Sequence, residues 1–208
     1  MSKVLLINGS PNKNGSTNLA LSEIAKELEN NGVQSEILYL GKKAINDCIS
    51  CYKCQKTGLC SIDDVVNQIA ARLDEFDGIV AGSPVYYAGP TARIQAFLTR
   101  LFFVAGQKNL ACKVGASVVI ARRGGASATF DRLNKFFTIS NMFVAGSQYW
   151  NEVHGLVPED LPNDAEGMQT MRTLAKNIAW FIKCKNLAMQ NGLELPKYEP
   201  ITLTHFIR

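Results

Sequence analysis

Short apolar runs alternate with amphipathic stretches along almost the whole chain. Val4-Leu5-Leu6-Ile7 is continuous and apolar, as in a strand buried on both faces; the strand is expected over residues 3–8. From near Thr17 the period changes. Leu21, Ile24, Ala25 and Leu28 share a helical face, and Asn31-Gly32 supply a stop. The same alternation continues. Residues 34–40 read as a second strand, and Val65, Val66, Ile69, Ala70 and Leu73 as the inner face of a helix behind Asp63 and Asp64. Residues 78–82 read as a third strand. Pro90 then opens a helix with Ile94, Phe97, Leu98, Leu101 and Phe102 turned inward. Residues 114–121 give a fourth strand. A helix carrying Phe130, Leu133, Phe136 and Phe137 leads to a fifth strand near 142–146. A long helix over 165–189 follows, with Met168, Met171, Ala175, Ile178 and Ile182 as its stripe. Asn163 and Glu166 stand at capping-box spacing before it.

Five strands and five helices in strict alternation predict an α/β fold, a parallel sheet covered on both faces. Residues 1–190 are expected to form one domain. Residues 191–208 form a tail with two prolines and little periodicity, expected on the surface or against a second subunit. The 208-residue length suits one domain, and 47% hydrophobic with 19% charged residues supports a large core rather than disorder. The net charge of +4 is mild, and Lys and Arg form no stripe with aromatics. That argues against nucleic acid as a partner and suits small anions. No apolar run is as long as a membrane span, and Met1-Ser2-Lys3 leads straight into a strand without a leader pattern. A cytoplasmic location is expected, with the six cysteines as thiols or ligands rather than disulfides.

Ligands of open parallel sheets bind beyond the carboxyl ends of the strands. Three loops leave those ends. The first, residues 8–18, joins a strand to a helix N-terminus through Gly9-Ser10-Pro11-Asn12-Lys13-Asn14-Gly15-Ser16-Thr17-Asn18. It is not a Walker A loop, because Ser16 stands where the Lys belongs and the glycine spacing is one residue too long. It also lacks the three close glycines of a dinucleotide loop. Hydroxyls, backbone N–H groups and a helix dipole suit a single phosphate monoester, such as that of FMN. The second loop, Ser83-Pro84-Val85-Tyr86-Tyr87-Ala88-Gly89-Pro90, is stiffened by prolines and carries adjacent tyrosines. Its backbone can bond a pyrimidine edge and a ring can cover a flavin face, or it is a connector whose tyrosines pack on the next helix. The third, Arg122-Arg123-Gly124-Gly125, can hold a flavin edge or a nucleotide phosphate, or is a solvated basic turn.

Together the three loops resemble those of flavodoxin-like NAD(P)H-dependent FMN reductases, over nearly the whole chain. The motifs are Gly9-Ser10-Pro11 with Gly15-Ser16-Thr17-Asn18, Gly82-Ser83-Pro84-Val85-Tyr86-Tyr87, and Gly124-Gly125. The segment 141–146 before Tyr149-Trp150 is similar as well. The resemblance implies a three-layer sandwich with strand order 2-1-3-4-5. It implies FMN phosphate on Ser10, Ser16, Thr17 and Asn18, with Asn12 and Gly15 in the same loop. The isoalloxazine would rest on Pro84, Val85, Tyr86 and Tyr87 and near Arg122, Gly124 and Gly125. Family members often carry a basic residue directly after the loop proline; here Asn12 stands there and Lys13 follows.

Cys48, Cys51, Cys54 and Cys60 lie within thirteen residues, just before Asp63-Asp64. Thiolates so spaced suit an iron–sulfur cluster or zinc, and the alternative is free thiols. The spacing resembles that of archaeal iron–sulfur flavoproteins, which implies a [4Fe–4S] cluster beside FMN. Cys184 reads as core. The connection from Tyr149 to Asn163 is long enough to be a lid or wall. Within it His154 can donate a proton to a reduced acceptor, or it simply satisfies loop carbonyls.

The leading expectation is an enzyme moving electrons from NAD(P)H through FMN to a small-molecule acceptor such as a quinone or free flavin. The rival is an electron carrier fed by a ferredoxin-like partner, and a third reading is a metal-stabilised module without flavin. A homodimer or homotetramer is expected, because the aromatic loop and the tail lack a partner within one domain.

Overall fold

The computed structural model describes residues 2–206, apart from the side chains of residues 107 and 108. Met1 and the last two residues of the expected tail lie outside the described residues. Strands β1 (Lys3–Asn8), β2 (Gln34–Tyr39), β3 (Gly78–Pro84) and β4 (Val114–Ala121) form the body of one parallel sheet. With β5 (Phe143–Val144) at its edge, the strand order is β2-β1-β3-β4-β5. The helices are α1 (Ser16–Asn30), α2 (Lys53–Thr57), α3 (Val65–Ala70), α4 (Ala92–Leu110), α5 (Ala126–Ile139) and α6 (Ala165–Gln190).

The strand period of two sorts the side chains into two cores. Val4 and Leu6 turn to one face, where they meet Leu21, Ile24 and Leu28 of α1 and Met171, Leu174 and Ile178 of α6. Leu5 and Ile7 turn to the other, among Ile69 of α3, Phe97 and Leu101 of α4, and Leu133 and Phe137 of α5. That is the three-layer, flavodoxin-like sandwich expected.

Four local differences from expectation have physical causes. First, the fifth strand is split. Phe143–Val144 pairs with the start of β4, and the chain then bulges out. It returns as β6 (Glu152–His154) along the end of β4, with Val119 opposite Glu152 and Ala121 opposite His154. His154 therefore stands in a strand rather than in a free lid. Second, the cysteine segment contains the extra helix α2. Third, Asp164 and not Asn163 caps α6, its Oδ1 accepting from the Gly167 N–H at 3.0 Å. Fourth, α4 begins one residue after Thr91 rather than at Pro90, with Thr91 Oγ1 accepting from the Ile94 N–H at 3.4 Å. Helical geometry in α4 is interrupted at Gly106, where φ is +63°. Residues 193–206 form no helix or strand. Among the described residues no helix is long and apolar enough to cross a membrane.

Candidate functional site

The loops after β1, β3 and β4 touch in sequence and form one rim. Asn8, fully buried, organises the first. Its Oδ1 accepts from the Ser10 N–H at 3.0 Å, and its Nδ2 reaches the Lys13 carbonyl at 3.4 Å. Ser10 Oγ then accepts from the Asn12 N–H at 3.1 Å. Tyr39 of β2 donates to the Pro11 carbonyl at 2.6 Å. Gly15 takes the N-cap position of α1 and has no side chain to offer, and the first turn holds no acidic residue. The N–H groups of that turn are thus left for an outside acceptor, flanked by the hydroxyls of Ser16 and of buried Thr17. A phosphate monoester fits this cradle by charge and by donor set.

Thr91 joins the first loop to the second. Its Oγ1 donates to the Gly9 carbonyl at 2.8 Å, and its N–H to Ser83 Oγ at 3.0 Å. A side chain on Gly9 would stand 2.7 Å from Ile94 Cβ, so only glycine lets the loop pass this close to α4. The second loop ends in a tight hairpin. Tyr86 and Gly89 exchange backbone hydrogen bonds at 2.8 and 3.0 Å across Tyr87 and Ala88. Both turn residues lie at positive φ, +51° and +57°, where glycine or asparagine is the usual occupant. Tyr87 projects fully into solvent from this turn, and Tyr86 is half-exposed.

The third loop closes on the second. Val85 donates to the Ile120 carbonyl at 2.9 Å. Gly125 has φ +94°, and a Cβ there would lie 2.7 Å from Ala88 Cα and 3.0 Å from Val85 Cγ1. It also leaves the α5 N-terminus without a side-chain cap. Arg122, Arg123 and Gly124 are exposed. His154 stands beside Ala121 at the same edge. Its N–H donates to Asp164 Oδ2 at 2.6 Å, and its Nδ1 is 3.9 Å from that oxygen. Tyr149 and Trp150 pack on each other, ring centroids 5.0 Å apart, in the bulge between β5 and β6.

The four cysteines of the spaced motif line a single pocket, with Ser61, Arg100 and Phe103 among its other walls. Positive φ at Ser50 and Tyr52 bends the chain around it. Gly58, at φ +70°, ends α2 and donates to the Cys54 carbonyl at 2.9 Å. Asn67 of α3 holds the Cys60 backbone from both sides, accepting from its N–H at 2.8 Å and donating to its carbonyl at 3.1 Å. The thiols differ. A hydrogen bond with Ser61 Oγ, then the Lys53 N–H, pull the Cys51 thiol below the ordinary thiol range, whereas burial pushes Cys54 up. Among the described residues no group of His, Cys, Asp and Glu is drawn together tightly enough to hold a single metal ion, as zinc requires. The pocket lies beside the middle of α4. By helix rise, Arg100 is about 12 Å along α4 from its start at the rim.

A model of the family described as NADPH-dependent FMN reductase matches residues 2–155. The chain belongs to that family. An iron-sulfur flavoprotein of Methanocaldococcus jannaschii is 35% identical over 188 residues, covering 87% of this chain and 97% of the relative. Another, from Methanosarcina thermophila, is 26% identical over 180 residues, 85% of this chain and 93% of the relative. The structure of RosB with bound 8-demethyl-8-formylriboflavin-5'-phosphate matches at TM-score 0.73 and 14% identity, over 100% of this chain and 94% of that one. A WrbA-like flavodoxin from Agrobacterium tumefaciens matches at TM-score 0.61 and 16% identity, over 88% and 99%. At such identities these structures show the fold alone.

Several residues that shape the site in this FMN reductase family chain were not singled out from its sequence. Asn8 ends a strand and reads as its last residue, yet its amide ties the first loop together. Thr91 sits behind two loop prolines. Arg100 lies beside the apolar face of an otherwise greasy helix and is 1% exposed. A cation among Phe97, Leu98 and Leu101, with Asp63-Asp64 upstream, was the available signal for a buried ion pair. Burial works against its charge, but hydrogen bonds to Asp64 and Cys60 outweigh that, and its pKa lies above the ordinary value.

Proposed function

We propose that this member of an FMN-binding oxidoreductase family takes electrons from NAD(P)H and passes them to a small acceptor such as a quinone or free flavin. The observation that carries the reading is the continuous rim of three loops around an uncapped helix N-terminus. Ser10, Ser16, Thr17 and Asn18, with the first N–H groups of α1, hold the phosphate by charge-assisted hydrogen bonds. Backbone groups of Pro84, Val85 and Tyr86, and of Gly124 and Gly125, orient the ring edge. Tyr87 covers a ring face and limits water there. Arg122, in the third loop, is the candidate cation for a nucleotide phosphate. His154, held by Asp164, is the candidate for placing a proton on the reduced acceptor. When bound, FMN supplies two-electron chemistry with a nicotinamide, and an iron–sulfur group supplies one-electron chemistry with a protein partner.

A second reading is favoured by the pocket that all four cysteines line and by the names of the relatives. Here Cys48, Cys51, Cys54 and Cys60 hold a [4Fe–4S] cluster, and a ferredoxin-like partner is the electron donor. Four thiolates are the donor set such a cluster takes. Anaerobically purified protein separates the readings. Flavin bands that bleach with NAD(P)H, in protein with no iron, support the reductase alone. About four irons per chain, with bleaching only through a ferredoxin-like donor, support the carrier. Protein that binds no FMN overturns both.

A further inference from the structure

Among the described residues, Arg100 has every side-chain donor engaged. A guanidinium has five N–H donors. Nη1 donates to Asp64 Oδ2 at 2.6 Å and to the Asn46 carbonyl at 3.4 Å. Nη2 donates to the Ile62 carbonyl at 2.7 Å and to Asp64 Oδ1 at 3.0 Å. The fifth donor, Nε, points at Cys60 Sγ at 3.3 Å. The side chain is fully buried, so none of these donors has water as an alternative partner. Asp64 is fixed in turn, because its Oδ1 also accepts from the Val66 N–H at 2.9 Å as the cap of α3.

A buried cation is expensive, and replacing a buried ion pair by apolar side chains is often neutral or stabilising. Packing alone therefore does not call for arginine here. Asp64 answers the charge, and Ile62 and Asn46 explain why the fork is useful in holding the segment from Asn46 to Asp64 against α4. Neither explains an N–H spent on a sulfur, a poor acceptor when neutral. A thiolate, or a thiolate bound to iron, is a far better one. The sulfur chosen is that of Cys60, whose backbone Asn67 holds independently.

We infer that Arg100 is a positioning residue of the four-cysteine pocket that raises the reduction potential of an iron–sulfur cluster held there. It does so through its Nε–H···Sγ bond to Cys60 and its buried charge. The inference rests on the cluster reading proposed above. Reduction adds one negative charge to the cluster. A nearby cation and an N–H donor to a ligand sulfur stabilise the reduced form more than the oxidised one, so the potential rises. Hydrogen bonds to the sulfurs are one of the levers that set such potentials.

The test uses anaerobic, FMN-loaded full-length protein with its cluster reconstituted, followed by electron paramagnetic resonance during a redox titration. Arg100→Gln keeps N–H groups but removes the charge and the fork; Arg100→Lys keeps the charge and loses the fork. Arg100→Gln is expected to retain iron and FMN and to shift the cluster midpoint downward. The shift should correspond to at least a tenfold change in the reduction equilibrium, about 59 mV for one electron. Arg100→Lys should fall between. If Arg100→Gln does not fold, judged by loss of FMN, the midpoint of Arg100→Lys decides. An unchanged midpoint in an iron-loaded variant overturns the inference and leaves the cluster reading standing. Wild-type protein that takes up no iron and sulfide overturns the cluster reading, and the inference with it.

Discussion

At the scale of single residues, the rim depends on groups that have one job each. Ser16 and Thr17 bring hydroxyls to the uncapped end of α1. Thr17→Ala and Ser16→Ala are each expected to weaken FMN binding by about 1–3 kcal/mol, the worth of a hydrogen bond to a charged acceptor. Fluorescence titration of FMN into cofactor-free protein measures this, and unchanged dissociation constants for both would place the phosphate elsewhere. Ala88 is a different case. It sits at φ +57° in a two-residue hairpin turn, a conformation that costs an L-residue about 1 kcal/mol and glycine nothing. Ala88→Gly should therefore raise the stability of cofactor-free protein by about 1 kcal/mol in urea unfolding. A loss of stability would mean that the Ala88 methyl, which faces Gly125, contributes more than the turn strain removes. That the three loops meet at one sheet edge could be read in the sequence, because strict strand–helix alternation sends them all to the carboxyl ends of the strands. Arg100 offers only the weaker signal of a cation in a greasy helix with acids upstream, because its partners lie thirty-six and forty positions away.

At the scale of elements, the strands and long helices follow the apolar pattern almost residue for residue. The departures fall where local pattern is weakest. A helix of five residues inside the cysteine segment has no apolar face to announce it, since none of its residues is buried. The returning strand β6 shows one buried residue, Val153, in three. No alternation can be read from so short a stretch. Where elements meet, Gly125 is decisive. Gly125→Ala places a methyl against Ala88 and Val85 and demands a left-handed alanine. It should separate the second and third loops, and weaken FMN binding at least tenfold while near-native far-UV circular dichroism persists. Binding as tight as wild type would show that the third loop is not needed to hold the ring.

On the far side of the sheet, Glu36 of β2 accepts from Arg72 at 2.9 and 2.7 Å and from Lys3 at 2.7 Å. Arg72 first and Lys3 second hold its carboxyl down at about 2, from an ordinary 4.5. A folded-state value below the unfolded one contributes stability above pH 4.5 that fades as the pH falls toward 2. Wild type should therefore exceed Glu36→Gln in urea midpoint at pH 7, and the gap should narrow below pH 4.5. A gap that does not vary with pH would assign the difference to packing.

At the scale of the whole molecule, one edge of the sheet is short and greasy. Phe143, Val144 and Trp180 are exposed around it, and Leu195, Tyr198, Ile201, Leu203 and Phe206 are exposed along the tail. Exposed apolar side chains grouped in this way are a common mark of an interface between chains. The expected outcome in light scattering at micromolar concentration is a homodimer or homotetramer, and Trp180→Glu should shift it toward monomer. A wild-type monomer would contradict this.

The split outer strand also bears on how chains of this kind can diverge. β5 and β6 each take their register from β4, and neither takes it from the other. Ala145 and Asn151 still bond to β4, but the stretch between them, residues 146–150, can gain or lose residues without turning any side chain to the wrong face of the sheet. Insertions and deletions accumulated during descent should collect there rather than in the loops of the rim, which the hydrogen bonds of Asn8 and Thr91 and the close approach of Gly125 tie together. A short Gly-Ser insert after Gln148 should leave the thermal midpoint within a few degrees of the parent.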